Sequence, residues 1–173
     1  MKIALVIDNF SPFKGGGESY AVHFAKELLQ HGHEVHIFTR FWDTPFSPRL
    51  LTFHRVPTFK GSELFRVLSF GYYCQRLLKE HSFDIIQGFG KGCWHMDVYR
   101  PGGGVHRAYL QQNLLSMEKP YYRFYQQLLR ATFLKDLILL TIEKYQYKPD
   151  GIKRIIVNSQ LVKGHIAEFY QYP

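Results

Sequence analysis

The chain has 173 residues, 46% of them hydrophobic and 21% charged, which is the balance of one soluble globular domain and excludes a disordered chain. Its 22 Lys and Arg residues against 14 Asp and Glu residues give a net charge of +8, which favours anionic partners: phosphorylated sugars, nucleic acid or an acidic membrane surface. Two cysteines are too few for a disulfide framework, no apolar run reaches the ~18 residues of a membrane span, and no signal-peptide pattern follows Met1, so a cytoplasmic location is expected.

Strand and helix patterns alternate along the chain, beginning with an apolar run at 3–7 that is typical of a strand buried on both faces. This alternation predicts an α/β fold with one Rossmann-like, doubly wound parallel sheet. Strands are predicted at 3–7, 35–39, 51–56, 84–88, 96–99 and 154–158, and helices at 19–30, 64–80 and 121–147 and after Ser159. Ligands of such sheets bind beyond the carboxyl ends of the strands, so 8–17, 88–97 and 158–159 are expected along one rim.

Three consecutive glycines, Gly15, Gly16 and Gly17, lie between the first strand and the first helix in "SPFKGGGESY". The segment lacks the Gly-Lys-Ser/Thr of a phosphate-binding P-loop, and Tyr20 stands where a dinucleotide fingerprint needs its third glycine. Arg40, rather than an acidic residue, ends the second strand. A plain turn remains possible, but the run favours close approach of the backbone to a phosphate or sugar oxygen at the helix start.

Two segments, "GGGESYAVHFAKELLQHGHEV" and "GFGKGCWHMDVYRPGGGVHRAY", resemble the N-terminal domain of glycosyltransferase family 4, which has the two-domain GT-B fold. The second segment, together with "IIVNSQLVKGHIAEFY", is similar to the lipopolysaccharide-core glucosyltransferases of that family. The resemblance implies retaining transfer of a hexose, expected to be glucose from UDP-glucose, to a lipopolysaccharide-core or related lipid-linked sugar. It implies neither a cofactor nor a metal ion.

The resemblance also implies roles for individual residues. Gly15, Gly16 and Gly17 would face the donor diphosphate and sugar, and Glu18 would orient acceptor hydroxyls, unless it only stabilises the first turn of its helix. Asp97 is the candidate catalytic carboxylate, placed to accept the proton of an acceptor hydroxyl; the alternative is a loop Asp that caps a turn. Lys91 and His106 are the other candidate acceptor-binding residues, although a solvated lysine and a structural histidine explain them too.

Three histidines, His31, His33 and His36, lie close together in the sequence. A turn at Gly32 and the alternation of the strand would point His33 and His36 in different directions, and no fourth ligand is evident. No metal site is therefore predicted.

The segment 100–148 is basic and aromatic, with eight Lys and Arg residues against three acidic residues, a net charge of +5. Such a composition favours a helix that lies on anionic lipid at the inner membrane face, although a solvated helix face explains it too. The predicted membrane-binding residues are Arg107, Lys119, Tyr121, Tyr122, Arg123 and Arg130. Nucleic acid, the competing anion, is not expected as a partner because no recognition motif occurs.

The nucleotide-sugar pocket of a GT-B enzyme belongs to its second domain, which the resemblance does not place within residues 1–173. We therefore expect the chain to be an N-terminal, acceptor-side domain that does not transfer sugar alone. The alternative is a non-catalytic, membrane-associated module that binds anions.

Overall fold

The computed structural model describes residues 1–44, 49–116, 134–148 and 152–172. Eight strands lie in these ranges: β1 (Lys2–Val6), β2 (Asn9–Phe10), β3 (Glu34–Thr39), β4 (Phe41–Trp42), β5 (Leu51–Arg55), β6 (Ile85–Phe89), β7 (Val98–Arg100) and β8 (Arg154–Ile155). Six of them form one sheet in the order β5-β3-β1-β6-β7-β8, and every neighbouring pair is parallel. The short strands β2 and β4 form a separate parallel pair.

The order of the main sheet, numbered along the chain, is 3-2-1-4-5-6. This is the order of doubly wound nucleotide-binding folds, and it confirms the predicted Rossmann-like sheet. The chain reverses direction across the sheet between β1 and β6, so the crevice at the carboxyl ends of these two strands is where ligands of such folds bind.

Five described helices accompany the sheet: α1 (Gly16–Gln30), α2 (Glu63–Lys79), α3 (His106–Leu115), α4 (Leu134–Gln146) and α5 (Gln160–Tyr170). The predicted stop at Gly32 is confirmed, because its φ of 76° allows Gly32 N–H and His33 N–H to bond back to the carbonyls of Leu29 and Leu28. Ser159 caps α5 as predicted, since its hydroxyl accepts the Val162 N–H at 3.3 Å.

Two hydrophobic clusters cover the two faces of the sheet, and β1 contributes to both of them. Ile3, Leu5 and Ile7 pack with α1, whereas Ala4 and Val6 belong to the cluster that includes α2 and α5. Alternate residues of a strand point to opposite faces, which explains why this strand is apolar throughout.

The main difference from the sequence prediction is α3, which lies where no helix was expected. The helix predicted at 121–147 is described only as Leu134–Gln146, and its earlier part lies outside the described residues. Within the described ranges, no helix combines the length and the apolar character needed to cross a bilayer.

Candidate functional site

A cavity of about 420 Å³ opens at the carboxyl ends of β1 and β6, where the strand order reverses. Its walls come from the segment after β1, the start of α1, the start of α2, the turn after β6 and the segment after β7. The lining residues are Ile7, Asp8, Asn9, Gly17, Glu18, Glu63, Arg66, Val67, Phe70, Phe89, Gly90, Lys91, Gly92, Arg100, Gly102 and Gly103. We call this space the switch-point cavity.

Three of the predicted binding residues, Gly17, Glu18 and Lys91, line the switch-point cavity. Gly15 and Gly16 lie beside it at the start of α1, where Gly15 is the N-cap residue. The structure thus brings Gly17 of the predicted donor loop and two predicted acceptor-binding residues, Glu18 and Lys91, to a single cavity.

Three of the five glycines that line the cavity, Gly17, Gly102 and Gly103, have no evident packing role, and neither does Gly16 beside it. A Cβ atom built on Gly16, Gly17, Gly102 or Gly103 would meet no atom within 4 Å, and none of the four has a positive φ. Neither crowding nor backbone conformation therefore requires glycine at these positions. Unoccupied space in front of bare backbone is what close approach of a ligand needs. Gly102 and Gly103, of a second run of three glycines at 102–104, contribute to the same wall.

Lys91 lies on a one-turn 3-10 helix, Gly90–Gly92, that follows β6 directly. Gln146 of α4, which is 1% exposed, fixes this turn: its Nε2 donates to the carbonyls of Gly90 at 3.0 Å and Cys93 at 2.7 Å. The Tyr99 hydroxyl donates to Gln146 Oε1 at 3.3 Å. The only feature of the sequence that could have indicated a role for Gln146 is that this polar residue follows Ile142 by one helical turn, in line with an otherwise apolar stripe.

Four charged residues of the cavity, Asp8, Glu63, Arg66 and Arg100, were not among the predicted site residues. Arg100 is the last residue of β7, and its guanidinium lies 3.8 Å from the centre of the Tyr20 ring. The Asp8 carboxylate receives two hydrogen bonds from Arg40, from Nε at 3.1 Å and from Nη2 at 3.3 Å. Arg40, which follows β3 at the position where a dinucleotide-binding fold has its ribose-binding acid, therefore binds a carboxylate of its own chain.

Asp97 does not lie at this cavity. It directly precedes β7, next to the start of β6, because its N–H donates to the Ile86 carbonyl and its carboxylate accepts the Ile86 N–H at 2.9 Å. Lys153 Nζ is 2.8 Å from its other oxygen. Burial raises the pKa of Asp97, but the bonds from Lys153 and Ile86 outweigh burial and hold the pKa below its ordinary value.

The expectation that Asp97 belongs to the ligand-binding rim is therefore wrong, because parallel strands have their starts at the opposite edge of the sheet. Its catalytic role stays a prediction that has no place in the switch-point cavity.

His106 begins α3 and lies close enough to Lys91 for that charge to act on it, but it does not line the cavity. Burial lowers the pKa of His106, Lys91 lowers it further, and nearby acids oppose the shift. Its backbone N–H and that of Arg107 donate to the Glu143 carboxylate, which also accepts the Tyr170 hydroxyl at 2.6 Å. Glu143, 3% exposed, thus holds the start of α3 from a distant helix.

Of the predicted membrane-binding residues, only Arg107 lies in the described ranges. It is exposed, and its guanidinium lies 5.3 Å from the centre of the Phe169 ring. Lys119, Tyr121, Tyr122, Arg123 and Arg130 lie outside the described residues.

His31, His33 and His36 do not form a cluster. His31 Nδ1 lies 2.8 Å from the Glu27 carbonyl, whereas the His36 ring lies between His54, at 2.7 Å, and Glu34, at 2.7 Å. Within the described parts of the chain, no group of three or more His, Cys, Asp or Glu residues has the geometry of a metal site.

A family model described as Glycosyltransferase Family 4 matches residues 14–173 of the chain. Among solved structures, the chain is similar to WaaG, a glycosyltransferase involved in lipopolysaccharide biosynthesis, with a TM-score of 0.77 and 20% identity over 99% of this chain and 42% of WaaG. It is also similar to sucrose-phosphate synthase from Thermosynechococcus elongatus, with a TM-score of 0.65 and 13% identity over 98% of this chain and 45% of the synthase. The chain thus spans less than half the length of either structure. A comparison with curated proteins finds no match.

Proposed function

The chain belongs to glycosyltransferase family 4, and we propose that it forms the acceptor-side half of a retaining glycosyltransferase. The observation that carries the proposal is the switch-point cavity, whose wall contains glycines that neither packing nor backbone geometry requires. In the proposed reaction, a hexose passes from a nucleotide sugar to an acceptor hydroxyl held in this cavity. The nucleotide-sugar pocket would be completed by a second domain.

We propose glucose from UDP-glucose as the transferred sugar, and a lipopolysaccharide-core or related lipid-linked sugar as the acceptor. The net charge of +8 supports an anionic, membrane-borne acceptor, and the fold shared with WaaG agrees with this choice. A peripheral position on anionic lipid at the inner membrane face would bring the cavity to such an acceptor.

Each part of the cavity has a distinct task in this scheme. The bare backbone at Gly16 and Gly17 lets the donor sugar and diphosphate approach the start of α1, whose free N–H groups favour an anion. Glu18 and Lys91 face the acceptor side, and Gln146 keeps the turn that carries Lys91 in place. Positioning of two substrates contributes a large part of the rate of such a transfer.

The test is glucose transfer by the full-length protein that contains this chain, with UDP-[14C]glucose and lipopolysaccharide of truncated core. We expect Gly17→Ala to lower kcat/KM at least about tenfold, because its methyl group occupies the approach path, a loss of ~1.4 kcal/mol. The same substitution should leave the fold intact or slightly more stable, because alanine is the better helix former.

The matched control is Gly164→Ala in α5, which is exposed and also has nothing within 4 Å of its Cβ position. It should raise stability without changing transfer. Transfer unaffected by Gly17→Ala would remove the glycine loop from the site. Absence of transfer from any nucleotide sugar of a broad panel would overturn the proposed function, and NMR of the product would establish whether the anomeric configuration is retained.

A further inference from the structure

Six charged side chains line the switch-point cavity, three cationic and three acidic. The cations come from three different elements: Arg66 from α2, Lys91 from the 3-10 turn and Arg100 from the end of β7. The acids are Asp8, Glu18 and Glu63. Counting charges alone would make the cavity neutral, but the two sets differ in their partners.

The carboxylates already have local partners. Asp8 accepts the two hydrogen bonds from Arg40, and Glu63 Oε2 lies 2.7 Å from Lys135 Nζ. Glu18 folds back over the start of its own helix, where its Oε2 lies 2.8 Å from the position of a Cβ on Gly15. A carboxylate there is stabilised by the helix dipole. None of the three acids is therefore dedicated to a cation of the cavity.

The cations are not matched in the same way. Among the described residues, neither Lys91 nor Arg100 has a carboxylate oxygen within 4.0 Å. Arg66 has one, Asp8 at 3.8 Å, but that carboxylate is already held by Arg40. Arg100 stacks on Tyr20, which orients its guanidinium without using its hydrogen-bond donors.

Lys91 is half-buried, so its charge has lost part of its hydration. Burial lowers its pKa, and the more distant carboxylates of Glu143 and Glu63 only partly oppose this shift. A desolvated ammonium group with no close counter-ion is stabilised by an anion that enters the cavity. Two guanidinium groups and one ammonium group provide the donors that phosphate oxygens accept most strongly.

We propose that the switch-point cavity recognises a phosphorylated sugar, with the phosphate bound by Arg66, Lys91 and Arg100. The inference rests on the proposed function and makes it more specific: the acceptor carries its phosphate close to the hydroxyl that receives the hexose. The cavity volume of about 420 Å³ accommodates a sugar phosphate of this size. The same chemistry would also suit the diphosphate of the donor, and the experiment must separate the two.

The first measurement is binding of glucose 6-phosphate and of glucose to this chain, by isothermal titration calorimetry. Glucose 6-phosphate should bind and glucose should bind at least about tenfold more weakly. Arg66→Gln and Lys91→Gln should each weaken glucose 6-phosphate binding about tenfold or more, the loss expected for one charge-assisted bond. Arg76→Gln is the matched control, because Arg76 is an exposed arginine of the same helix as Arg66 and does not line the cavity.

Thermal melts of every variant show whether a loss of binding reflects a loss of the fold. Arg66 is 42% exposed, so Arg66→Gln tests the proposal even if Lys91→Gln, at a half-buried position, does not fold. Equal binding of glucose and glucose 6-phosphate would overturn the proposal. An equal loss with Arg76→Gln would also overturn it, since the effect would then come from the general charge of the domain.

The second measurement separates acceptor phosphate from donor diphosphate in the full-length protein. An acceptor site predicts that saturating UDP leaves glucose 6-phosphate affinity within about twofold and that Arg66→Gln raises KM for a phosphorylated acceptor but not for the nucleotide sugar. Competition between UDP and glucose 6-phosphate would assign the cations to the donor and overturn the acceptor assignment. Because binding is measured without turnover, phosphate binding without transfer would refute the proposed function alone, and transfer without phosphate binding would refute this inference alone.

Discussion

The two edges of the parallel sheet use their charged residues differently. At the edge where the strands begin, Asp84 accepts the Lys2 N–H at 2.7 Å, and Asp97 binds both the Ile86 N–H and Lys153. At the edge where the strands end, Lys91 and Arg100 face a cavity without a close carboxylate among the described residues. The two acids at the first edge are therefore saturated by bonds within the chain, whereas the two cations at the second edge are available to a ligand.

The partners that a charged residue has within the chain therefore distinguish a structural role from a ligand-binding role more reliably than its residue type does. An acidic residue in a loop of an α/β protein is an obvious catalytic candidate. Asp97, however, bonds to the backbone of Ile86 near the start of β6 and directly precedes β7. A charged group whose bonds are all made within the chain stabilises the fold. One that is held in place but has no close counter-charge is ready for a ligand.

The largest effect on stability should come from Glu143, a carboxylate near the ligand-binding edge whose bonds are all internal. Glu143→Ala would leave two backbone N–H groups and the Tyr170 hydroxyl without their acceptor, so we expect a loss of about 3 kcal/mol in the free energy of unfolding. Urea denaturation measures this loss. Arg66→Gln, on the cavity side, should change stability by less than about 0.5 kcal/mol. Equal losses in the two variants would contradict the distinction between saturated and available charge.

Asp97→Asn should have the next largest effect, a loss of about 2 kcal/mol, because it removes a charged acceptor from the Ile86 N–H and from Lys153. Lys153→Met is the control; that lysine is 76% exposed, and its removal should cost less than about 1 kcal/mol. Binding of glucose 6-phosphate should be unchanged in both variants. If Asp97→Asn instead abolished sugar transfer without any loss of stability, the predicted catalytic role of Asp97 would be supported. The contrast between the two edges of the sheet would then fail.

The sequence was sufficient for the six strands of the main sheet, though not for β2 and β4, and for most helix ends, because these depend on local signals. The apolar run before Asp8 predicted the central strand, and Gly32 and Ser159 predicted a helix end and a helix start. Helix α3 was missed because it has no apolar stripe and its start is held by Glu143, more than thirty residues away.

The positions of residues at the cavity were predictable where the chain itself supplies neighbouring residues, and were missed where the fold brings distant ones together; their roles in binding stay predictions. Gly17, Glu18 and Lys91 directly follow strands or begin a helix and lie at the cavity, as expected. Arg66 reaches it only because the first turn of α2 faces the crevice. Asp97 was placed on the wrong edge because the connection from β6 to β7 must cross from the end of one parallel strand to the start of the next.

Acid titration gives the smallest expected effect on stability. It separates the contribution of Asp97, at the edge where the strands begin, from that of the histidine pair His36 and His54 on β3 and β5. Burial, followed by the charge of His36, lowers the pKa of His54 from 6.5 to about 4. The unfolded chain therefore binds a proton there more readily, so the stabilisation present above pH 6.5 is lost as the pH falls towards 4. His54 is partly exposed, and solvent screening reduces the expected loss to about 1 kcal/mol.

Asp97 has a lowered pKa, so its contribution is complete above the ordinary value of 3.8 and is lost only below it. Urea denaturation from pH 7 to pH 3 should show both windows in the unaltered chain. His54→Gln should reduce the dependence between pH 6.5 and 4, to which His106 also contributes through its lowered pKa, and Asp97→Asn should reduce only the part below it, to which Glu34 and Glu63 also contribute. If Asp97→Asn also removed the pH dependence between 6.5 and 4, the two regions would titrate together. Asp97 would then not stabilise the fold independently of the histidines.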